Sequence, residues 1–317
     1  EDDLIQSFDA GDRVTLTGIL DTEEPGSNQS LDFDTTVDGQ AVVREESSYD
    51  DIDISEHRDE IETIAAGEHG DPYDLLVQSI NPEHKGDEAV KLAITLQLFG
   101  GWSRGGQMRG DSHILLMGDP GCGKSTFLKA ANDLAPRSTY ASGKGATAAG
   151  LTAAAVANDF GDAEWGLEAG ALVLADGGVA CIDEIDKVND GAVSSLHDAL
   201  ASQQVQGNKA GINATLNART ALLAAGNPED GRFNPYQPIA QQLDLEPSLM
   251  SRFDLMFMVS DSPDKETDRG VIDHMIRTRR AAAKKELGED LTKEERKSIE
   301  PEISHDTRRA YIAYAKE

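Results

Sequence analysis

Apolar residues along this 317-residue chain come in short runs, and their spacing changes from one end to the other. Near the start the runs alternate with polar residues. Arg13-Val14-Thr15-Leu16-Thr17-Gly18-Ile19-Leu20 has the period and the residue types of a strand. Asp21–Ser30, with Pro25 and Gly26, follows as a polar loop. A second β segment ends near Val42-Val43, with Asp38-Gly39 as a turn signal before it. Residues 46–70 are polar and acidic, with Ile52, Ile54, Ile61 and Ile64 spaced along them, and predict a linker entering a short helix. Asn81-Pro82 marks a loop. Asp87–Phe99 switches to helical spacing through Val90, Leu92, Ala93, Leu96 and Leu98, and Gly100-Gly101 closes it.

After a polar Gly/Arg loop at 103–112 the pattern changes again. The apolar run at 114–117 has the length and composition of a buried parallel strand, and further strand candidates follow at 138–142, 179–183, 220–226 and 255–260. Between them the spacing predicts helices at 126–131, 149–158, 190–204 and 266–287, then a last one over Ser304–Lys316. This alternation is that of an α/β fold, a parallel sheet flanked by helices. The chain therefore divides into a β-rich part, residues 1–66, and an α/β part, residues 67–317.

Charge changes the picture in one respect. The chain has 58 acidic against 29 basic side chains, a formal charge of −29. Residues 1–74 hold 23 acidic and 3 basic side chains, so the excess is concentrated there. The acids are dispersed, which reads as a solvated surface suited to a high-salt cytoplasm. Any contact with nucleic acid must come from a local basic or hydrogen-bonding loop. The two cysteines, Cys122 and Cys181, have no metal-ligand spacing and fit small buried side chains. No signal peptide and no apolar stretch of spanning length is present, so a soluble, intracellular protein with no membrane partner is expected. The chain opens on Glu1 and closes within a helical pattern, as a fragment would.

Gly118-Asp119-Pro120-Gly121-Cys122-Gly123-Lys124-Ser125 carries the most specific chemistry. G-x-x-x-x-G-K-S after a buried strand and before a helix is the phosphate-binding loop of nucleotide triphosphatases. Glycines let the backbone approach phosphate oxygens, and the helix N-terminus favours an anion. Lys124 should reach the β- and γ-phosphates of ATP, and Ser125 should ligate Mg²⁺. Thr126, next in line, completes the nucleotide-binding set.

A second signature lies about sixty residues on. The apolar strand Val179-Ala180-Cys181-Ile182 ends in Asp183-Glu184, two carboxylates suited to the Mg²⁺ shell and to activating the attacking water respectively. Asn227 ends the run Ala221–Gly226, where a polar side chain could reach the γ-phosphate; Asn before Pro228 is also an ordinary turn signal. Arg252 precedes the strand at 255 and suits either transition-state charge or a surface salt bridge. Residues 205–212 read as a hairpin with Lys209 near its tip. Asp159–Glu168, with Trp165, is a further candidate loop.

Taken in order, these sites resemble the AAA+ ATPases, and more fully the minichromosome maintenance (MCM) helicases. The resemblance rests on Cys181-Ile182-Asp183-Glu184-Ile185-Asp186-Lys187, on Lys209–Arg219, and on Leu249-Met250-Ser251-Arg252-Phe253-Asp254. Leu98-Phe99-Gly100-Gly101 and Glu168–Gly178 are similar too. Residues 73–317 match well. Residues 8–66 match weakly and look like the end of the family's OB-fold domain. The resemblance implies a homo-hexameric ring that uses ATP and Mg²⁺ to unwind single-stranded or forked duplex DNA, with replication loading factors as further partners. It makes Asn227 a sensor of the γ-phosphate, Arg252 a finger acting on the neighbour's ATP, and 205–212 a hairpin that sets Lys209 against DNA. Residues 159–168 become the family's helix-2 insertion. Ile185 stands where the family has Phe, Gly207-Asn208 where it has apolar and small residues, and Ser202 where it often has Gln. The family's zinc segment and sensor-2 arginine would lie before residue 1 and after residue 317. A protein-remodelling AAA+ ATPase shares the ATP motifs and is the competing expectation.

Overall fold

The computed structural model describes residues 14–23, 34–44, 52–102, 109–157, 165–209, 212–234, 236–238, 241–259, 265–301 and 303–316. At the N-terminal end β1 (Val14–Glu23) pairs antiparallel with β2 (Asp34–Arg44). Asp38-Gly39 does not turn the chain. It lies inside β2, where the register shifts between Thr17 and Gly18, and a Cβ on Gly18 would run into the Asp38 carbonyl. The glycines mark a bulge with close backbone approach, a use of Gly in strands that resembles a turn signal in sequence. Most of the expected loop Asp21–Ser30 lies outside the described residues.

Among the described residues, three helices precede the main sheet. α1 (Ile54–Ala65) starts where Asp53 caps the Ser55 amide, and it buries Ile61 and Ile64. α2 (Pro72–Ser79) has no counterpart in the sequence reading. It is only eight residues long, but Asp71 caps the Tyr73 amide and Pro72 occupies the first turn, a strong local start signal. α3 (Glu88–Phe99) ends at Gly100, whose φ of 71° suits a residue without Cβ. It buries Val90, Ala93, Ile94 and Leu98, while Leu92 and Leu96 stay exposed.

The α/β unit follows: β3 (Ile114–Gly118), α4 (Lys124–Leu134), β4 (Ser138–Ser142), α5 (Ala148–Leu151), β5 (Ala153–Ala157), β6 (Trp165–Ala169), α6 (Ala171–Leu174), β7 (Val179–Asp183), α7 (Asp190–Ser202), β8 (Gln204–Lys209), β9 (Ile212–Asn217), β10 (Ala221–Gly226), α8 (Pro247–Met250) and β11 (Leu255–Val259). α9 (Lys265–Glu286), α10 (Lys293–Ile299) and α11 (His305–Lys316) complete it. One expectation fails here. The helix predicted at 149–158 stops at Leu151, and from Ala153 the chain is a strand paired with β6. The alanine-rich sequence favours helix locally, but the cross-strand partner overrides that preference. Of the candidate loop 159–168, residues 165–168 lie in β6; residues 158–164 lie outside the described set.

Five strands form a parallel sheet in the order β11-β3-β10-β7-β4. Alternate residues point to opposite faces, and in β3, β10 and β7 both faces are covered, which is why those runs read as continuously apolar, whereas the edge strands β11 and β4 stay partly exposed. Leu115, Met117, Ile182, Leu222 and Ala224 pack with Leu196 and Leu200 of α7, with Leu249 of α8 and with Phe253. Ile114, Leu116, Val179, Cys181, Leu223 and Ala225 pack with Ile94 and Leu98 of α3, Phe127 and Leu128 of α4, and Ile312 of α11. Each fully buried Leu, Ile or Phe contributes about 1.5–3 kcal/mol. Cys181 is part of this core, and burial pushes its thiol up to about 12. In this order β3 lies between β10 and β11, while the strand after it in sequence, β4, lies at the far edge. Such a reversal leaves a crevice at the carboxyl ends of the strands, the usual ligand position in open α/β sheets.

Candidate nucleotide site

Every sequence-predicted residue of the ATP set except Arg252 lies at those carboxyl ends. The loop Gly118–Gly123 leaves β3 and is tied down at its start. The Asp119 amide donates to the Val259 carbonyl (3.2 Å), and Asp119 Oδ1 accepts from the Phe233 amide (3.0 Å). Gly121 and Gly123 have φ of 87° and 80°, the left-handed region that glycine tolerates. A Cβ built on Gly121 meets nothing within 4 Å, so the loop's mouth has room for a ligand against its backbone. On Gly123 it would lie 2.8 Å from His84 Nδ1.

Lys124 begins α4 and is buried, 7 % exposed. Its ammonium donates to the carbonyls of Gly118 (2.7 Å) and Asp119 (2.8 Å) and to Asn227 Oδ1 (3.1 Å). Burial lowers its pKa, and the nearby charges of Asp183, Asp119 and Asp186 act the other way. The phosphate-loop lysine and the polar tip of β10 are thus in direct contact. Asn227 is fixed from behind: its amide donates to Asp186 Oδ1 (3.0 Å), and Lys187 Nζ holds the other oxygen of that carboxylate (2.9 Å). Gly226 makes this possible, since a Cβ there would sit 2.8 Å from Met117 Sδ and 3.1 Å from Asp186 Oδ1.

At the end of β7 the two carboxylates part. Asp183 Oδ1 accepts from the Glu184 amide (2.9 Å) and Oδ2 from the Tyr140 hydroxyl (2.9 Å). Burial first, and that hydrogen bond second, push the Tyr140 pKa up, so it remains a donor. Glu184 adopts φ 53°, ψ 44°, left-handed backbone that is costly for a residue with a Cβ. This turn sends its side chain back toward β4, where the Ser142 hydroxyl donates to Glu184 Oε2 (3.2 Å).

Arg252 stands apart. It follows α8, and its guanidinium meets His197 of α7 through an Nη2–Nε2 contact of 3.0 Å. Lys209 ends β8, its backbone paired with Ile212, in a hairpin longer than expected; residues 210 and 211 lie outside the described set.

Several residues of the site escape sequence reading. Asn81 Nδ2 donates to Thr126 Oγ1 (3.0 Å), and the His84 ring packs edge-on against Phe127 at 4.6 Å, so the loop at Asn81-Pro82 flanks the phosphate loop. Tyr140 and Ser142 lie on a strand whose sequence carries no motif. The available signal was topological: β4 pairs with β7, which places Ser142 opposite Asp183.

A glycine-lined loop at a strand end, a lysine held at its rim, and carboxylates on the second strand over define a P-loop nucleotide-binding domain. A family model described as the MCM P-loop domain matches residues 57–279. The minichromosome maintenance protein MCM of Saccharolobus solfataricus is 41% identical over 325 residues, covering 100% of this chain and 44% of that protein. The DNA replication licensing factor mcm7 of Xenopus tropicalis is 42% identical over 272 residues, 84% of this chain and 38% of that protein. The DNA replication licensing factor mcm4 of Schizosaccharomyces pombe is 38% identical over 306 residues, 87% of this chain and 34% of that protein. The chain belongs to the MCM family, and it spans less than half the length of these relatives. No helix among the described residues is long and apolar enough to cross a membrane.

Proposed function

We propose that this chain is the ATP-hydrolysing motor of a ring-shaped DNA helicase that acts in replication. The observation that supports this most is the contact between Lys124 and Asn227, with Asp183 and Glu184 at the end of the adjoining strand, in a chain related to replication proteins. In this reading Gly118–Thr126 binds ATP. Backbone amides of the loop face the phosphates, and Lys124 turns from the Gly118 and Asp119 carbonyls toward β- and γ-oxygens. Ser125 and Asp183 are the residues that would hold Mg²⁺, which neutralises charge on those oxygens when bound. Glu184 accepts a proton from the attacking water as its oxygen bonds to the γ-phosphorus and the bond to the bridging oxygen breaks. Ser142 holds that carboxylate aside until the site is assembled. Arg252 completes the site of the next subunit in a homo-hexamer.

The β8–β9 hairpin is the DNA-facing element, with Lys209 supplying positive charge. In a chain of charge −29 such a lysine counts disproportionately, and a ring repeats it six-fold. Residues 1–66 are proposed as the end of an OB-fold-like domain, and replication loading factors as partners of the intact protein. The test is ATP hydrolysis by the full-length protein with and without single-stranded DNA. The proposal expects stimulation, and expects Lys209→Ala to lose unwinding of a forked duplex and to bind DNA with a shallower salt dependence. A protein-remodelling ATPase would show hydrolysis indifferent to DNA.

A further inference from the structure

We propose that His197 is a positioning residue for Arg252, holding the guanidinium ready for the neighbouring subunit's ATP. The inference rests on the reading of Arg252 as a finger acting across the interface. Two buried apolar anchors flank the arginine: Leu249 and Phe253 pack into the core beside Leu196 and Leu200 of α7. Asp254, next in the chain, is clamped at the start of β3, where it accepts from the His113 amide (2.8 Å) and from Arg109 Nη2 (2.7 and 3.0 Å). The Arg252 backbone is therefore fixed from both sides. Its long side chain is not, because anchoring Cα leaves several χ angles free.

His197 supplies what is missing. It is on α7, one residue after the buried Leu196, and is itself part-exposed, so it stands at the edge of the packed interface. Arg252 Nη2 lies 3.0 Å from His197 Nε2. An arginine has only donors, so the imidazole nitrogen must be the acceptor and the ring neutral. Asp198 Oδ1, 3.3 Å from His197 Nδ1, favours the proton on that other nitrogen. Arg252 Nε is buried and has no partner among the described residues, so the orientation of the guanidinium depends on the bond to His197. That bond uses one of five N–H donors, on Nη2, and leaves the remaining Nη donors for a phosphate.

The alternative is that His197 merely packs against α8. Two substitutions separate these. His197→Gln keeps an acceptor near the Nε2 position but loses the ring; His197→Phe keeps the ring but loses the acceptor. Steady-state ATP hydrolysis is measured in the assembled full-length protein, with thermal unfolding as a check on folding. Positioning predicts that His197→Phe lowers kcat about 10- to 100-fold with KM nearly unchanged, the effect of a misplaced transition-state group. His197→Gln should stay within about three-fold of the parent, since it restores the one hydrogen bond at issue. Joining His197→Phe to Arg252→Ala should be no slower than Arg252→Ala alone, because both remove the same contribution. If His197→Phe does not fold, His197→Asn, polar but one methylene too short, takes its place with the same expectation. An active Phe variant, an inactive Gln variant that folds, or additive losses in the double variant would each overturn the proposal. Normal hydrolysis by Arg252→Ala would instead remove the finger reading on which it stands.

Discussion

Removing the Lys124 ammonium separates its two duties. Lys124→Met keeps most of the buried stem and deletes three hydrogen bonds, to Gly118 O, Asp119 O and Asn227 Oδ1. A net 1.5–3 kcal/mol each is about the value for bonds from a charged donor. Two features reduce the sum. Burial already disfavours the ammonium, as its lowered pKa records. The mouth of the loop is also open above Gly121, so water can serve the released acceptors. The empty protein should therefore lose only about 1 kcal/mol, or about 2–4 °C in Tm for a domain of this size. ATP binding has no such relief, because water is no substitute for a cation against phosphate. Losing one charge-assisted contact should weaken Kd about 10- to 100-fold. Calorimetric titration with ATP, beside thermal melts of the empty protein, gives both numbers. An unchanged Kd would refute the phosphate role. A stability loss above about 4 kcal/mol would show that the lysine serves mainly to hold β3 and β10 together.

Ser142→Ala removes the 3.2 Å restraint on Glu184 and should raise DNA-free ATP hydrolysis about three-fold, the worth of one modest hydrogen bond; unchanged hydrolysis would mean that the contact restrains nothing. Arg252→Ala should bind ATP yet fail to hydrolyse it, and mixing it with Lys124→Ala subunits should restore part of the activity. No recovery in rings shown to contain both subunits would place Arg252 outside the neighbour's site. His113 supplies a prediction about acid. It is buried, its Nδ1 accepts from the Leu222 amide, and burial lowers its pKa from 6.5 to about 4. The unfolded chain takes up this proton near pH 6.5 and the folded one only near pH 4. Stability is thus fully present above pH 6.5 and falls by about 2–3 kcal/mol as the pH drops to 4.5. Denaturant midpoints at pH 7.5 and 4.5 should show this in the parent, and a smaller drop in His113→Gln.

The α/β unit was legible because its central strands β3, β10 and β7 are short and buried on both faces, so each apolar run marked its own strand. Motif chemistry did the same for Lys124, Asp183 and Glu184, which come together at the carboxyl ends of β3 and β7, on either side of β10. Three kinds of feature were not legible. The alanine-rich segment after Leu151 became strand because β6 pairs with it, a partner that no local window contains. Asp38-Gly39 looked like a turn and is a bulge, since the same glycine freedom serves both. The supporting residues Ser142, Tyr140, Asp186 and His197 act through strand and helix neighbours distant in sequence. For Arg252 the sequence left salt bridge and finger open, and the structure adds a third element, a histidine partner on another helix.

The measurement that bears most directly on the proposed motor is unwinding of a forked DNA duplex by the full-length protein, compared with its Glu184→Gln form. The account expects ATP-dependent strand separation by the parent. It expects the variant to bind ATP with similar affinity but to hydrolyse it at least about 100-fold more slowly, because general-base assistance is the part removed, and to separate no strands. Unwinding by Glu184→Gln at the parent's rate, or hydrolysis by the parent that never separates strands, would contradict it.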